Sequence, residues 1–331
     1  MQADTRDINP ALAFDVAALA DYLSVHLSGA TGPWQVAQFK GGQSNPTYLL
    51  TSGEGQRYVL RRKPPGKLLP SAHAVDREFR VMQALGHTDF PVPRMRLLCT
   101  DEHVIGTPFY VMDYVEGRIL WDPLLPDMQP AERTAIFAAM NRTIAALHSV
   151  DYAAIGLADY GKPGQYIARQ VSRWTQQYRA SETEPIAAMD KLIDWLPEHI
   201  PAGEQTSIVH GDYRMDNVVF HPTEPRVIAV LDWELSTLGH PLADFAYHCM
   251  AWRLEPGQFR GLVGGDLPAL GIPSEADYVA NYCARTRRPP IAPCAWEFYM
   301  AFNMFRLAAI LQGVLARALQ GNASSAQALD A

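Results

Sequence analysis

The sequence predicts an α+β protein of two domains, a small one built on an antiparallel sheet and a larger one that is mainly helical. The chain has 331 residues, which is more than a single hydrophobic core usually serves. Apolar and polar residues alternate in several short runs before residue 115, as is typical of half-buried strands. From residue 116 the apolar spacing is largely helical, so the predicted domains are 1–115 and 116–331.

The first domain is predicted to be a meander of strands with two helices. In chain order the predicted elements are a helix at 12–27, strands at 34–39, 47–51 and 57–63, a helix at 73–85, and two strands around a turn at 101–107. A Gly-Gly turn and the tight turn "SGEG" separate the first three strands, which favours antiparallel pairing. Gly86 is the expected stop of the second helix.

The second domain is predicted to be helical around one buried strand. In chain order the predicted elements are helices from Pro130 to about His148 and at 165–179 and 185–196, a strand at 226–232, and helices at 243–252, 275–284 and 294–320. Arg306, Gln312 and Arg317 interrupt the last apolar run. This pattern indicates an amphipathic helix of a soluble core, and we predict no membrane span.

Composition and charge narrow the class of protein. With 48% hydrophobic and 19% charged residues, the chain is typical of a soluble enzyme and unlike a disordered protein. A net charge of −7 argues against a nucleic-acid or anionic-membrane partner. The four cysteines lie far apart, which favours reduced thiols, and the N-terminus has no apolar signal core. We therefore expect a cytoplasmic protein.

The segment "VHGDYRMDNVVF", residues 209–220, has an unusual density of polar groups between two candidate strands. Asp212 and Asn217 are five residues apart, and Asp232 ends the apolar run "VIAVLD" twenty residues after Asp212. A carboxylate and an amide oxygen suit Mg²⁺. Asp212 would then accept a proton from an attacking hydroxyl. One base and two metal ligands are what phosphoryl transfer from a nucleotide requires.

"HGDYRMDN" together with "LDWE" resembles the catalytic segments of the aminoglycoside phosphotransferase family, in the protein-kinase-like superfamily. The resemblance covers roughly residues 30–320. It implies a two-lobed, protein-kinase-like fold with an N-lobe at 1–115 and a C-lobe at 116–331. It also implies ATP and Mg²⁺ as cofactors, Asp212 as the catalytic base, and Asn217 and Asp232 as metal ligands. His210 and Asp244 would support the catalytic loop.

The same resemblance implies a nucleotide site on the first domain. The loop "KGGQSNPTYLL" would cover the phosphates with the residues Gly41, Gly42, Ser44 and Asn45. In "YVLRRK", Arg61 stands where protein kinases have a lysine, and Lys63 is the alternative phosphate contact. Glu78 is the expected partner of Arg61. Val59 would lie against the adenine, and "FYVMDYVEG" would line the adenine pocket with Met112 and the backbone of Asp113, Tyr114 and Val115.

The acceptor of the phosphoryl group is less well defined by the sequence. Segments such as "VLRRKPPG" and "LDWELSTLGHPLADFAY" resemble a kinase-like branch related to the domain fused to some acyl-CoA dehydrogenases. That resemblance implies a hydroxyacyl-CoA or hydroxy acid as acceptor. Arg169, Arg173 and Trp174 lie close together on one predicted helix and would hold an anionic acceptor, or form a solvated face with one packed tryptophan.

Other functions stay open at this point. The enzyme would phosphorylate an aminoglycoside or another amino alcohol if its acceptor site carried negative charge. A metal-dependent hydrolase would use His210, Asp212, Asp216 and Asp232 on metal ions. An inactive nucleotide-binding scaffold, or a soluble two-domain protein with an unremarkable polar loop, are further alternatives. The predicted partners are a nucleotide and a small-molecule hydroxyl acceptor. The sequence does not indicate the oligomeric state.

Overall fold

The computed structural model describes residues 4–40, 45–66, 74–257 and 260–319. In chain order its first elements are β1 (Thr5–Arg6), α1 (Val16–His26), β2 (Gln35–Phe39), β3 (Thr47–Thr51), β4 (Arg57–Arg62), α2 (Val75–Leu85), β5 (Met95–Cys99), α3 (Glu102–Ile105), β6 (Phe109–Asp113) and β7 (Arg118–Ile119). The later elements are α4 (Pro130–Ser149), α5 (Tyr166–Ser181), α6 (Ala187–Glu198), β8 (Ser207–Val209), β9 (Val218–Phe220), β10 (Val227–Val230), β11 (Thr237–Gly239), α7 (Pro241–Cys249), α8 (Leu267–Leu270), α9 (Glu275–Arg285) and α10 (Pro293–Leu319).

The chain forms two compact units that are not continuous in sequence. The first comprises Met1–Ile119, Ile155–Leu157 and Asp216–Ser236, and the second comprises Leu120–Ala154, Ala158–Met215 and Thr237–Ala331. The chain thus leaves the first unit four residues after the predicted boundary at 115. The chain also returns to the first unit at Asp216. The predicted division into two consecutive domains does not contain this return.

The first unit is built on a six-stranded antiparallel sheet in the order β1-β2-β3-β4-β6-β5. Leu19 and Leu23 of α1 pack on one face of it, against alternate residues such as Leu60 and Val111. Each such buried apolar side chain contributes about 1.5–3 kcal/mol to stability. Because side chains alternate along a strand, the odd-numbered residues of β4, including Arg61, lie on the other face.

The other face of this sheet carries helix α2. Phe79 of α2 contacts Tyr110 of β6, with ring centres 6.4 Å apart. Tyr110 is the cross-strand partner of Arg61, so the start of α2 and the middle of β4 face one another. Gly86 caps α2 at its C-terminal end, as predicted.

The segment 216–236 joins the first unit through a three-stranded sheet in the order β10-β9-β7. In this sheet Arg118 pairs with Phe220 and Ile119 with Val219. The backbone of Gly117 approaches this sheet so closely that a Cβ there would lie 2.3 Å from the Phe220 carbonyl oxygen. The short strand β7 therefore provides the attachment point that brings the later segment back.

The second unit is helical around the two-stranded ribbon of β8 and β11. Helix α10 packs against α5, α6 and α7, and α4 packs against α9 and β8. Aromatic stacking joins α7 to α9, where the rings of Phe245 and Tyr282 lie 3.8 Å apart. In the ribbon Val209 pairs with Thr237 and Ser207 with Gly239. The loop that holds Asp212 follows the Val209 end of this ribbon.

Helix α10 is long and apolar enough to cross a membrane by length and composition alone. About half of its apolar window, 56%, is buried inside the protein, as in the core helix of a soluble domain. The four cysteines are free thiols, of which Cys99, Cys249 and Cys283 are buried and Cys294 is exposed.

Candidate active site

One arginine and three carboxylates from distant parts of the sequence meet in the first unit. The guanidinium of Arg61 lies 3.3 Å from Glu78 Oε2, 2.7 Å from Asp232 Oδ1 and 3.1 Å from Glu234 Oε2. Arg61 and Glu78 are buried, whereas the side chains of Asp232 and Glu234 are 33% and 22% exposed. We call these four residues the Arg61 cluster. The ion pair predicted between Arg61 and Glu78 is present in it.

The buried Glu78 carboxylate has two further hydrogen-bond donors. The hydroxyl of Tyr110 donates to Glu78 Oε2 over 3.1 Å. The side-chain amide of Asn45, which is fully buried, donates to Glu78 Oε1 over 2.8 Å. Asn45, which was predicted as a donor toward phosphate, thus uses a side-chain N–H on the helix glutamate. The other residues predicted for the phosphate loop, Gly41, Gly42 and Ser44, lie outside the described residues.

The Arg61 cluster has more negative than positive charge, since three carboxylates surround one guanidinium. Burial raises the pKa of Glu78 to about 7, Asp232 and Glu234 add to the increase, and Arg61 opposes it. Burial would lower the pKa of Arg61, but the surrounding carboxylates raise it above its usual value, so the guanidinium stays charged. A further cation would therefore stabilise this cluster.

The backbone places Asn217 beside Asp232. The Leu231 N–H donates to the Asn217 carbonyl over 2.8 Å. Asp232 has a φ of 64°, a left-handed conformation that is strained for a residue with a side chain and is often found at functional sites. Trp233 anchors this turn, because its buried indole donates to the Val230 carbonyl over 2.9 Å.

The donor set around Asp232 fits a hard divalent cation. A carboxylate and an amide oxygen are ligands that Mg²⁺ accepts, and the excess negative charge of the Arg61 cluster favours a cation. No group of three or more His, Cys, Asp or Glu side chains able to hold a metal ion occurs among the described residues.

An apolar patch lies on the same sheet face as Arg61. Val59 of β4 and Met112 of β6 are cross-strand partners and both are buried. Side chains at alternate positions of a strand share a face, so Val59 and Met112 continue the surface that Arg61 begins. Lys63, the alternative to Arg61, follows the last residue of β4. The observed partner of Glu78 is Arg61.

Two of the three backbone N–H groups at residues 113–115, at and after the end of β6, already have acceptors within the protein. The Asp113 N–H donates to the Arg94 carbonyl over 2.9 Å, and the Tyr114 N–H donates to the Arg57 carbonyl over 3.2 Å. For the Val115 N–H, no acceptor is found among the described residues. Of the three backbone groups predicted to contact adenine, Val115 is thus the one with a donor to offer.

In the second unit, Asp212 lies in a loop of residues 210–215, which we call the Asp212 loop. The hydroxyl of Tyr247 donates to Asp212 Oδ1 over 2.7 Å, and Arg214 Nε lies 3.2 Å from the same oxygen. The Asp212 N–H donates to His210 Nδ1 over 3.2 Å. Only 19% of the Asp212 side chain is exposed, so its carboxylate is oriented by neighbours rather than by water.

Asp244 of α7 supports the Asp212 loop from behind, as predicted. Its carboxylate accepts the backbone N–H groups of His210 and Gly211, each over 2.8 Å. Gly211 has a φ of 85°, a conformation that favours glycine. Burial would raise the pKa of Asp244, but the hydrogen bond from His148 and the backbone N–H of His210 hold it below its usual value. Asp244 therefore stays ionised as an acceptor.

Residues 35–278 match the model of a protein family described as the phosphotransferase enzyme family. This range contains both the Arg61 cluster and the Asp212 loop. The chain belongs to the phosphotransferase enzyme family.

Relatives of this phosphotransferase include longer proteins. Mouse acyl-CoA dehydrogenase family member 10 is 51% identical over 329 residues, which cover 98% of this chain and 30% of that protein. The chain spans 30–42% of the length of such curated relatives. A crystal structure of a candidate aminoglycoside phosphotransferase from Ralstonia eutropha JMP134 is 60% identical, with a TM-score of 0.88 and coverage of 96% of this chain and 94% of that one.

More distant structures share the fold of this phosphotransferase. Choline kinase from Cryptosporidium parvum Iowa II superposes with a TM-score of 0.64 at 13% identity, over 91% of this chain and 90% of that one. The predicted α+β, protein-kinase-like fold is confirmed, and so is the predicted family. The description of this family agrees with the predicted class of enzyme, a phosphotransferase.

Three polar contacts of this phosphotransferase were not predicted from the sequence. Glu234 joins the Arg61 cluster and lies within the quoted "LDWE", two residues after Asp232. Tyr247 lies one helical turn after Asp244, so both face the Asp212 loop, and helical spacing is a signal that could have identified it. Arg306 donates to the Gly211 carbonyl over 2.8 Å. The sequence feature that could have identified Arg306 is a charged residue between apolar residues of a helix.

The three residues predicted to hold an anionic acceptor have different environments. Arg169 donates to the backbone carbonyls of Lys162 and Gly164, so it closes the loop before α5. Arg173 lies over the Trp174 ring, 5.6 Å from its centre. The guanidinium of Arg306 lies at the same distance from that ring. Trp174 is therefore linked to the Asp212 loop through Arg306.

A cavity of about 300 Å³ lies elsewhere in the second unit. Tyr166, His240 and Tyr299 are among its lining residues. His240 directly follows Gly239, which pairs with Ser207 at the start of β8, whereas the Asp212 loop follows the other end of β8. The cavity thus lies at the Gly239 end of the ribbon, and the Asp212 loop follows the Val209 end.

Proposed function

We propose that this enzyme transfers the γ-phosphoryl group of ATP to the hydroxyl of a small molecule, with Mg²⁺ as cofactor. The observation that carries the proposal is the Arg61 cluster. In this cluster the guanidinium of Arg61, on β4, lies 3.3 Å from the carboxylate of Glu78, on α2. It lies 2.7 Å from the carboxylate of Asp232, which follows β10. That set of residue types matches the triphosphate site implied by the motifs.

The nucleotide would lie on the β4–β6 face of the first unit. Arg61, fixed by Glu78, would bind phosphate oxygens through its planar guanidinium. Val59 and Met112 would form an apolar wall for the adenine, and the Val115 N–H would donate to its edge.

Asn217 and Asp232 would hold Mg²⁺ in this scheme. When bound, the ion supplies neutralisation of the charge on the phosphate oxygens. The backbone hydrogen bond between Leu231 and Asn217 supports the assignment, because it places both candidate ligands in one turn region. The excess negative charge of the Arg61 cluster is a second, independent support.

Asp212 would act as the base. As the acceptor oxygen forms its bond to the γ-phosphorus, the bond from that phosphorus to the departing ADP oxygen breaks, and the hydroxyl proton passes to the Asp212 carboxylate. Tyr247 and Arg214 orient this carboxylate through Oδ1. Such a positioned base is worth roughly 10²–10⁴-fold in rate.

For the acceptor, we propose a hydroxyacyl-CoA or a hydroxy acid. Relatives that carry acyl-CoA dehydrogenase names match almost the whole chain, which favours an acyl substrate. Arg214 and Arg306 also place positive charge around the Asp212 loop. An anionic acceptor is favoured by this charge, whereas a polycation would be repelled.

An aminoglycoside is the second candidate acceptor. It is favoured by the Ralstonia relative, which is 60% identical and described as a candidate aminoglycoside phosphotransferase. The two candidates differ in charge, so they can be separated by one assay.

The test is a panel of acceptors incubated with the enzyme and Mg-ATP, followed by mass spectrometry. The panel contains 3-hydroxybutyryl-CoA, free 3-hydroxybutyrate and kanamycin, with Asp212→Asn as the inactive control. We expect a gain of one phosphoryl group on an acyl compound and none in the control. A gain on kanamycin alone would support the second candidate. Release of inorganic phosphate without any phosphorylated product would indicate a hydrolase and overturn the proposal.

A further inference from the structure

We propose that Tyr247 of α7 and Arg306 of α10 are positioning residues that hold the Asp212 loop in its working geometry. This inference rests on the proposed function, because it takes Asp212 to be the base. Neither residue is placed on the reacting atoms; both act through the loop. The two side chains form one stack with Trp174 of α5.

Tyr247 holds the carboxylate itself. Its hydroxyl donates to Asp212 Oδ1 over 2.7 Å, a short hydrogen bond to a charged acceptor. Burial raises the pKa of Tyr247 well above its usual value, and the charge of Asp212 adds to the increase. The phenol therefore stays protonated and remains a donor at any working pH. Arg214, from the loop, is the second group on that oxygen.

Arg306 holds the backbone next to the carboxylate. It is buried in helix α10, and a buried charge is costly unless its donors are used. One donor is used by the Gly211 carbonyl, over 2.8 Å. The Gly211 N–H already donates to Asp244. Both polar groups of the residue before Asp212 are thus fixed, one by α7 and one by α10.

Stacking connects these two contacts. The guanidinium of Arg306 lies 4.9 Å from the centre of the Tyr247 ring and 5.6 Å from that of Trp174. A cation between two aromatic faces is attracted to both, which restrains the Tyr247 ring as well. Loss of Arg306 should therefore affect the carboxylate through Tyr247 and the backbone through Gly211.

The first experiment compares Tyr247→Phe with the matched control Tyr299→Phe. Each removes one buried hydroxyl, and that of Tyr299 contacts His240, away from the Asp212 loop. The readout is steady-state ADP formation from Mg-ATP, with water as acceptor and with any panel compound that gains a phosphoryl group. For Tyr247→Phe we expect kcat to fall about tenfold or more, because a hydrogen bond to a charged group is lost, while KM for ATP stays within about twofold.

A purely structural role predicts a different result. In that case both variants would lose thermal stability and activity to the same extent, and KM and kcat would change together. Equal kcat values for Tyr247→Phe and wild type would overturn the inference. The proposed function would still stand if Asp212→Asn were inactive. Activity retained by Asp212→Asn would instead overturn the proposed function itself.

The second experiment uses chemical rescue of Arg306→Ala. The variant leaves a space between two aromatic rings, next to a backbone carbonyl that lacks its donor. We expect guanidinium chloride at millimolar concentration to restore at least severalfold of the lost kcat, and an equal concentration of sodium chloride to restore none. Arg306→Lys, which retains the charge, is the second variant. Wild-type kcat in both Arg306 variants would overturn the role of Arg306.

Discussion

The guanidinium of Arg61 donates to the carboxylate of Asp232 over 2.7 Å, although the two residues are 171 positions apart. The bond links the cation of β4 to the residue proposed as a magnesium ligand. It explains why the segment 216–236 belongs to the first unit: the carboxylate must reach a site built by the sheet. In the proposed mechanism, phosphate positioning and metal binding thus lie within one cluster.

Asp232→Asn should abolish stabilisation of the enzyme by Mg-ATP. Asparagine tolerates the left-handed backbone at this position but lacks the charge that a divalent cation requires. For wild type, a nucleotide at a hundred times its Kd should add about 2.7 kcal/mol of stability. The measurement is the thermal unfolding midpoint with and without Mg-ATP. The exposed carboxylate of the same unit provides the control Glu224→Gln, which should respond like wild type. An unchanged response in Asp232→Asn would contradict the metal role.

Asp212→Asn should lower phosphoryl transfer by roughly 10²–10⁴-fold and leave Mg-ATP binding nearly intact. The substitution removes the proton acceptor but no proposed metal ligand, and the amide oxygen can still accept the hydrogen bond from Tyr247. Single-turnover transfer and the Mg-ATP-induced shift in unfolding temperature measure the two effects separately. Equal loss of binding and transfer would mean that the residue has been assigned to the wrong role.

Elements long enough to repeat their apolar pattern were predictable from the sequence, and very short elements were not. Strands β2, β3 and β4 and helix α4 lie within one or two residues of their predicted bounds, because several side chains repeat their pattern. Strand β7 has two residues and therefore no period. Without it, the return of 216–236 to the first unit could not be anticipated.

The residues of the candidate site were predictable only where several polar residues lie close together in the sequence, next to apolar runs. Asp212, Asn217 and Asp232 stand out because they interrupt apolar runs. Arg306 contacts Gly211 because α10 packs across α7, and that contact depends on tertiary packing rather than on local pattern. The partner of Asn45 is likewise decided by the position of α2 on the sheet.

Arg61→Met should destabilise the first unit, because it removes the charge partner of the buried Glu78 carboxylate, which then takes up a proton. It should also raise KM for ATP. Lys63→Met is the matched control, since it removes a charge just after the same strand. Urea unfolding and steady-state kinetics measure both effects. If Lys63→Met raised KM for ATP and Arg61→Met did not, the phosphate contact would belong to Lys63.

The stability of the second unit should decrease as the pH falls below about 6.5. Burial lowers the pKa of His248 and His240 to about 4, and it also lowers that of His148. The unfolded chain therefore binds more protons than the folded one between about pH 6.5 and pH 4. The contribution of these groups is complete above that window and is lost through it, at about 1.4 kcal/mol for each unit of pKa difference.

His248→Gln tests this pH dependence at one site. The imidazole of His248 is buried and hydrogen-bonded to the Tyr278 hydroxyl over 2.8 Å, and burial lowers its pKa to about 4, so in the folded protein it is neutral above that pH. A glutamine cannot take up a proton on unfolding, and one of the groups that destabilise the fold in acid is removed. Chemical unfolding at several pH values should show a shallower loss of stability between pH 6.5 and pH 4 than in wild type. Parallel curves for the two proteins would mean that protonation of His248 does not contribute to acid unfolding.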